Sequence, residues 1–186
     1  MIEWFLKIDH FIPDDYKKTI YDIDFKHLLD EGIKTLLIDL DNTMIPYDED
    51  MPDDKIKGLM NTLKGLGFEI VVVSNNKAPR VKRFSDALEM PFVNSARKPF
   101  KKGLKQAASL SGEYHPSEVC LIGDQFMTDV WGGKRLGFKV IVVDAIKRRI
   151  EKWYTRLNRR MEKRILARLK RIRRTIYEKL KLDEKR

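Results

Sequence analysis

The sequence has few of the residues that form disulfides and zinc sites. Cys120 is the single cysteine among 186 residues, so no intramolecular disulfide can form, and a reducing compartment is favoured. Its position inside an apolar strand pattern indicates core packing rather than nucleophilic chemistry. The three histidines, His10, His27 and His115, are too scattered to form a zinc site.

Long hydrophobic runs are absent as well. No apolar stretch approaches the ~20 residues that a transmembrane helix needs. Residues 1–12 are strongly apolar but include Glu3, Lys7 and Asp9, which is not typical of a secretion signal. We expect this segment to pack on the core; insertion into a membrane surface and contact with a partner are the alternatives.

Acidic residues are scarce only at the end of the chain. The formal net charge is +10, but residues 147–186 hold 18 lysines and arginines against 5 acidic residues, a net charge of +13. The other 146 residues therefore carry a net charge of −3. We divide the chain accordingly into a core, residues 1–146, and a basic C-terminal helix, residues 147–186.

Apolar strands alternate with helical segments along the core. The pattern predicts strands at 33–38, 68–73, 92–94, 118–122 and 139–143, and helices at 25–31, 53–66, 79–88, 100–110 and 128–136. Near the N-terminus, Pro13-Asp14 indicates a turn in which Asp14 caps a short helix. This alternation with short connections predicts an α/β fold, a parallel sheet with helices on both faces.

The first predicted strand ends in two aspartates, Asp39 and Asp41. Residues i and i+2 of a strand share a face, but beyond the strand end the second aspartate can turn away and take a separate role. The carboxyl ends of parallel strands are where open α/β folds place their chemistry. Asp-x-Asp alone is a weak pattern, because two acidic residues also commonly open a surface loop.

Three further stretches make the pattern specific. One strand runs into Ser74-Asn75-Asn76, the next leads to Ala96-Arg97-Lys98-Pro99, and the fourth ends at Gly123-Asp124 with Asp129 five residues on. Together with Asp39-Leu40-Asp41-Asn42-Thr43, and in this order, they resemble the four motifs of the haloacid dehalogenase (HAD) phosphohydrolase superfamily. With Thr155–Arg160 added, the chain is similar to the bacterial YqeG branch of subfamily IIIA, which is related to mitochondrial phosphatidylglycerophosphate phosphatases.

The resemblance implies a fold and a set of roles. The fold is a Rossmann-like, five-stranded parallel sheet in the order 5-4-1-2-3, numbered along the chain. Asp39 is the expected nucleophile, and Asp41 the general acid that later activates water. Ser74 and Lys98 are the other expected catalytic residues, and with Asn75 they bind the phosphoryl group, assisted by backbone N–H groups near Asn42 and Asn75.

A magnesium site is also implied. Mg²⁺ takes hard oxygen ligands, which the carboxylates of Asp39 and Asp124 and the backbone carbonyl of Asp41 would supply. Asp129 is a further ligand or orients one. Simpler interpretations remain open at this point: Lys98 as a solvated lysine, Asn75 as a turn former, and Asp129 as a charge at a helix N-terminus.

The connections leave no room for a substantial cap domain. The segments from Asp41 to Ser74 and from Asn76 to Lys98 are each used up by one helix and one strand. An uncapped site stays open to bulky substrates, which disfavours small soluble metabolites. A lipid head group, a protein or a nucleic acid is the expected substrate class.

The C-terminal helix carries one apolar stripe among basic residues. We expect its first turns, around Trp153 and Leu157, to pack on the core, and the remainder to lie on an anionic bilayer. RNA binding and dimerisation are the alternatives, and the oligomeric state is open. The stripe recurs every three or four residues and contains Ile150, Trp153, Leu157, Met161, Ile165, Leu169, Ile172, Ile176 and Leu180.

These observations predict a Mg²⁺-dependent phosphatase that acts on phosphatidylglycerophosphate, an anionic phospholipid, from the cytoplasmic face of the membrane. The lipid substrate follows from the resemblance together with the missing cap and the basic helix. An RNA- or ribosome-associated basic protein is the alternative from another class. A phosphatase with a protein or nucleotide substrate is the alternative that keeps the chemistry.

Overall fold

Six parallel strands form the centre of the fold. The computed structural model describes residues 7–148 and 153–185. The spatial order of the strands is β1-β6-β5-β2-β3-β4. Their bounds are β1 Asp15–Lys17, β2 Thr35–Ile38, β3 Glu69–Val73, β4 Phe92–Val93, β5 Val119–Gly123 and β6 Lys139–Val143. The five predicted strands are all present and lie beside one another in the predicted order, but the sheet has six strands and not five, because β1 adds at the edge beside β6 and so changes the complete order.

The edge strand β1 replaces the predicted turn and capped helix near Pro13. It pairs with β6 in parallel, with Asp15 opposite Ile141. Asp14 does not cap a helix, because its carboxylate accepts the Val140 N–H at 2.7 Å and pairs with Lys134 at 2.8 Å. The strand β1 thus forms because it pairs with β6, and the sequence of its three residues alone does not predict a strand.

Seven α-helices surround the sheet in the described parts of the chain. Asp24 and Asp53 cap the first two through their side chains, as expected for helix starts. A π-helical turn at Phe126–Val130 precedes α5, so the helix predicted at 128–136 begins earlier and ends at Lys134. The helices are α1 Phe25–Asp30, α2 Asp54–Gly65, α3 Ala78–Asp86, α4 Lys101–Ser109, α5 Trp131–Lys134, α6 Trp153–Ile172 and α7 Arg174–Lys179.

The core lies on both faces of the sheet. Leu36 and Ile38 of β2 point to one face, which is covered by α1, α2 and α3, while Leu37 points to the other, which is covered by α4, α5 and α6. The strands are buried on both sides, as is usual for parallel sheets. Cys120 is fully buried in this core, as predicted, and burial raises the pKa of its thiol well above the ordinary value.

The first turns of the C-terminal helix pack on the core through Thr155 and Arg159 and not, as predicted, through Trp153 and Leu157. Trp153 and Leu157 are 76% and 49% exposed, whereas Ile165 and Leu169 are buried in the core. The helix is also not continuous, because α6 ends at Ile172 and α7 starts at Arg174 after a break at Arg173. Residues 153–185 therefore fold back along the sheet.

No described helix has the length and the apolar content to cross a membrane. In the apolar N-terminal segment, Ile8 and Phe11 are buried in the core, as the packing prediction requires. Residues 1–6 of that segment, and Ile150 of the apolar stripe, lie outside the described residues.

Candidate active site

The candidate site lies at the carboxyl edge of the sheet. Asp39 follows β2, Ser74 follows β3 and Asp124 follows β5, so the parallel strands bring the three side chains to one edge. The Asp39 N–H donates to the Ile122 carbonyl at 2.9 Å and so extends the ladder between β2 and β5. The structure thus brings predicted site residues from distant parts of the sequence together.

Lys98 stands at the centre of the site. Its Nζ lies 2.5 Å from Asp39 Oδ1 and 2.6 Å from Asp129 Oδ1, and it donates to the Val73 carbonyl at 3.1 Å. Only 2% of the side chain is exposed. A buried lysine with two carboxylate partners is not a solvated surface residue, so that alternative for Lys98 is excluded.

Asn75 fixes the position of Lys98. Its Oδ1 accepts the Lys98 backbone N–H at 2.6 Å, and its Nδ2 donates to the Lys98 carbonyl at 3.0 Å. The side chain therefore holds both backbone groups of the lysine. The side chain of Asn75 is therefore occupied by Lys98. That the backbone N–H of Asn75 binds the phosphoryl group stays a prediction.

Asp129 is held from three sides and uses both carboxylate oxygens. Oδ2 accepts the Gln125 N–H and the Thr128 hydroxyl, each at 3.1 Å, and Oδ1 pairs with Lys98. Residue 123 must be glycine here, because a Cβ at that position would lie 2.3 Å from the Asp129 carboxyl carbon. This aspartate is thus a built part of the site rather than a charge at a helix end.

Asp41 is held by Ser74 and Arg80, and its separate catalytic role stays a prediction. The Ser74 hydroxyl donates to its Oδ2 at 2.9 Å, and Nη2 of Arg80 lies 3.2 Å from its Oδ1. Arg80 also donates to the carbonyls of Pro46 and Glu49 and so ties the loop after Asp41 to α3. Only 11% of the Arg80 side chain is exposed, so this residue of α3 lies inside the site.

Asn42 shapes the turn between Asp41 and the following loop. Its φ of 63° lies in the left-handed region, which asparagine tolerates better than most residues. Its N–H donates to the Ile45 carbonyl at 2.8 Å. The turn therefore uses the N–H of Asn42 itself, and the part of backbone N–H groups near Asn42 in phosphoryl binding stays a prediction.

Burial governs the protonation of the central pair. Burial raises the pKa of Asp39 well above its ordinary value, the Lys98 ammonium opposes the shift, and the neighbouring carboxylates add to it. For Lys98 burial favours the neutral amine, but Asp129 and Asp39 outweigh burial and raise its pKa. Lys98 is thus a permanent cation, and it reduces the cost of an ionised Asp39.

Three carboxylates fit a divalent cation. Asp39, Asp124 and Asp129 each offer a buried carboxylate oxygen, and these oxygens lie within 4.8 Å of one another. Oδ1 of Asp124 is buried and has no hydrogen-bond partner among the described residues. An unpaired buried oxygen is costly, and a hard cation would satisfy it. Oδ1 of Asp129 likewise accepts no hydrogen bond from a described residue, but it lies 2.6 Å from the Lys98 ammonium, so the geometry favours Asp124 as the direct ligand.

A cavity of about 320 Å³ opens beside Asp39 and Asp41. Within residues 41–98, all of which the structure describes, no cap domain is inserted. The cavity is nevertheless not open on every side, since Thr155 and Asn158 of α6 line it. The prediction of an open site is corrected in this respect: the C-terminal helix forms one wall.

Sequence reasoning missed two buried arginines of the site. Arg80 contacts Asp41, and Arg159 of α6 contacts the carboxylate of Asp124. Arg159 lies within the Thr155–Arg160 stretch on which the resemblance partly rests. That stretch was the available sign that α6 belongs to the site.

A buried aspartate paired with a lysine, a nearby cation-binding cluster and this parallel sheet define a class of hydrolases. Residues 3–137 match the haloacid dehalogenase-like hydrolase family. The chain therefore belongs to the haloacid dehalogenase-like hydrolases. Members of this family use a divalent metal ion, and the carboxylate cluster provides a place for one.

A curated relative covers nearly the whole chain. The Bacillus subtilis (strain 168) protein "Probable phosphatase YqeG" is 37% identical over 161 residues, which make up 87% of this chain and 92% of that protein. This identity supports the similarity to YqeG that the motifs predict. The relation to phosphatidylglycerophosphate phosphatases stays a prediction.

Solved structures share the fold at low identity. A protein from Vibrio cholerae assigned as a 3-deoxy-D-manno-octulosonate 8-phosphate phosphatase matches with a TM-score of 0.50 and 18% identity, over 64% of this chain and 72% of that one. A protein from Thermotoga maritima assigned as a β-phosphoglucomutase matches with a TM-score of 0.50 and 10% identity, over 68% and 92%. At such identities the likeness concerns the fold alone.

The close approach of Gly123 to Asp129 yields a prediction. Gly123→Ala places a methyl group where the Asp129 carboxylate lies, so we expect weaker binding of a divalent cation and a free energy of unfolding lower by about 1–3 kcal/mol. Calorimetric Mg²⁺ titration and urea unfolding measure both effects. In the control Gly58→Ala, the Cβ meets nothing within 4 Å in the middle of α2, and a stabilisation of up to about 1 kcal/mol is expected. Wild-type behaviour of Gly123→Ala in both assays would contradict the geometry.

Proposed function

We propose that the protein is a Mg²⁺-dependent phosphatase that forms an aspartyl-phosphate on Asp39 and acts on phosphatidylglycerophosphate at a membrane surface. The observation that carries the chemistry is the buried triad of Lys98, Asp39 and Asp129 beside the unpaired oxygen of Asp124. The 37% identity to "Probable phosphatase YqeG" supports the reaction class. The lipid substrate rests on the sequence resemblance and on the surface beside the cavity.

In the first step Asp39 attacks phosphorus. Lys98 holds Oδ1 of Asp39 at 2.5 Å, whereas among the described residues Oδ2 accepts only a long hydrogen bond from the Thr43 hydroxyl at 3.4 Å, so Oδ2 is the attacking oxygen. The new bond joins Oδ2 to phosphorus, and the bond from phosphorus to the ester oxygen breaks. Asp41 gives its proton to that leaving oxygen, and Lys98 offsets charge on the transferred group. Phosphatidylglycerol leaves as the alcohol.

In the second step water releases the phosphate. Asp41, now a carboxylate, takes a proton from a water molecule that attacks phosphorus, and the bond between phosphorus and Oδ2 of Asp39 breaks. In this scheme the Ser74 hydroxyl, which donates to Asp41 Oδ2 at 2.9 Å, turns to donate to a phosphoryl oxygen instead, since a hydroxyl has only one hydrogen to donate. Inorganic phosphate leaves and Asp39 is regenerated.

The metal ion would be held by Asp39 and Asp124. The Asp41 backbone carbonyl is the third protein ligand implied by the resemblance, and Asp129 holds Lys98 beside them. When bound, Mg²⁺ neutralises charge on the phosphoryl group and on the attacking carboxylate. The chain itself supplies the nucleophile, the proton donor and the fixed cation Lys98.

The surface around the cavity supports a lipid substrate. Phe100, Trp153 and Leu157 are 67%, 76% and 49% exposed, and each lies within two residues of a residue that lines the cavity. Exposed aromatic side chains among basic residues are typical of proteins that rest on anionic bilayers, where each Lys or Arg contributes about 1 kcal/mol. A head group phosphate could then enter the cavity while its acyl chains stay in the bilayer.

The catalytic proposal is tested with Asp39→Asn. We expect phosphate release from phosphatidylglycerophosphate in mixed vesicles to fall to background, because the amide is not a nucleophile toward phosphorus. The matched control Asp54→Asn alters a fully exposed acid at the start of α2 and should leave activity unchanged. Full activity of Asp39→Asn would remove the proposed nucleophile. A higher kcat/KM for a nucleotide or a phosphopeptide would keep the chemistry but overturn the lipid substrate.

The membrane proposal is tested by co-sedimentation with vesicles. We expect the protein to bind vesicles that contain phosphatidylglycerol, with a decline at high salt, and the double variant Trp153→Ser/Leu157→Ser to bind them less. The control Leu110→Ser removes an apolar side chain of similar exposure at the far end of α4, about 15 Å from Phe100 along the helix. Equal binding of the two variants, or binding to RNA but not to vesicles, would overturn this surface.

A further inference from the structure

The C-terminal segment reaches the proposed metal ligand Asp124. Nη1 of Arg159 donates to the Asp124 backbone carbonyl at 2.8 Å, and Nη2 pairs with Oδ2 of the same residue. Lys185, near the end of the chain, also donates to the Asp124 carbonyl at 3.1 Å and to the Val143 carbonyl at 2.7 Å. Arg159 and Lys185 lie 35 and 61 positions beyond Asp124 in the sequence, and both contact this aspartate.

Both cations contact the Asp124 backbone carbonyl, but only Arg159 also contacts the carboxylate. A guanidinium that pairs with one carboxylate oxygen and the carbonyl of the same residue restricts how the carboxylate can rotate. The second carboxylate oxygen, Oδ1, is the one without a hydrogen-bond partner. Arg159 therefore determines which oxygen is left for a cation.

A nearby acid, Glu162, compensates the charge of Arg159. Its Nη1 also donates to Oε2 of Glu162 at 3.1 Å, and Oε1 of Glu162 lies 3.9 Å from Lys185. The side chains of Arg159 and Glu162 are 8% and 4% exposed, so this is a buried network. An arginine that is neutralised in this way can orient a ligand with less repulsion of the metal ion than an uncompensated cation would cause.

We propose that Arg159 is a positioning residue for Asp124, through which the C-terminal segment sets the affinity of the site for the divalent cation. The inference rests on the proposed function only in taking Asp124 as a metal ligand, and it needs no particular substrate. Groups that hydrogen-bond metal ligands typically change metal affinity 10–100-fold when they are mutated. The basic helix thus supports the metal site through its buried side, in addition to any contact that its exposed side makes.

The test measures Mg²⁺ binding to the full-length protein by calorimetry, without substrate. We expect Arg159→Gln to weaken binding about tenfold or more, because the amide loses the ion pair with Oδ2. Arg159→Lys keeps the charge but loses the contact with both the carboxylate and the carbonyl. We expect its Mg²⁺ affinity to lie between those of the wild type and Arg159→Gln. Arg160→Gln changes the adjacent exposed arginine and should bind like the wild type.

A second comparison separates positioning from general stability. Lys185→Met removes a buried lysine that hydrogen-bonds only backbone carbonyls at this site, so it should lower the melting temperature of the metal-free protein with little change in Mg²⁺ affinity. Arg159→Gln should reduce the rise in melting temperature that Mg²⁺ produces, a quantity that depends on the affinity for the folded state. If Arg159→Gln does not fold, the Mg²⁺ affinity of Arg159→Lys tests the inference instead.

The outcomes that overturn the inference differ from those that overturn the proposed function. Wild-type or tighter Mg²⁺ binding by the Arg159 variants would show that Arg159 does not position Asp124, or competes with the ion for it. A similar loss of affinity in Lys185→Met would assign the effect to packing. Absence of Mg²⁺ binding by the wild type would remove the metal role of Asp124 and this inference with it. Mg²⁺ binding without hydrolysis of phosphatidylglycerophosphate would overturn the lipid substrate alone.

Discussion

The ammonium group of Lys98 between two buried carboxylates is the interaction on which the site depends. Asp39 and Asp129 lie within 2.6 Å of its Nζ, in a region where an unpaired charge is costly. Without this cation, burial and mutual repulsion would favour protonated acids at the sheet edge. Lys98 opposes this shift and so lowers the cost of an ionised nucleophile, although burial still leaves the pKa of Asp39 raised.

Several features of the fold serve this one arrangement. Asn75 holds the backbone of Lys98 at both its N–H and its carbonyl, and Gly123 leaves the space that the Asp129 carboxylate fills. The parallel strands deliver Asp39 and Asp124 to the same edge. The C-terminal segment closes the arrangement through Arg159, so the basic region is both a wall of the cavity and a support of the site.

The side chains at strand ends could be predicted from sequence, whereas their supports could not. Asp39, Ser74 and Asp124 each follow an apolar strand, and parallel strands end at one edge, so local pattern suffices to group them. Arg80 and Arg159 lie among many basic residues of helices, and only tertiary packing selects which of these are buried. Strand β1 was missed because its pairing with β6, not its own three residues, forms it.

The apolar stripe of the C-terminal helix shows the same limit. Its period predicts a helix with one apolar face, but it does not say which turns are covered. Ile165 and Leu169 are buried while Trp153 and Leu157 remain exposed, and the helix breaks at Arg173 without a glycine or proline. The periodicity shows which side of a helix is apolar, but the surface that the helix packs against determines how much of that side is buried.

The most direct test of the account is a crystal structure of the full-length protein with Mg²⁺ and beryllium fluoride, which mimics a phosphoryl group on aspartate. The account predicts the fluoride adduct on Oδ2 of Asp39, Mg²⁺ in contact with that carboxylate and with Oδ1 of Asp124, and Lys98 still bound to Asp39. An adduct on another residue, or an ion bound away from Asp39 and Asp124, would contradict it.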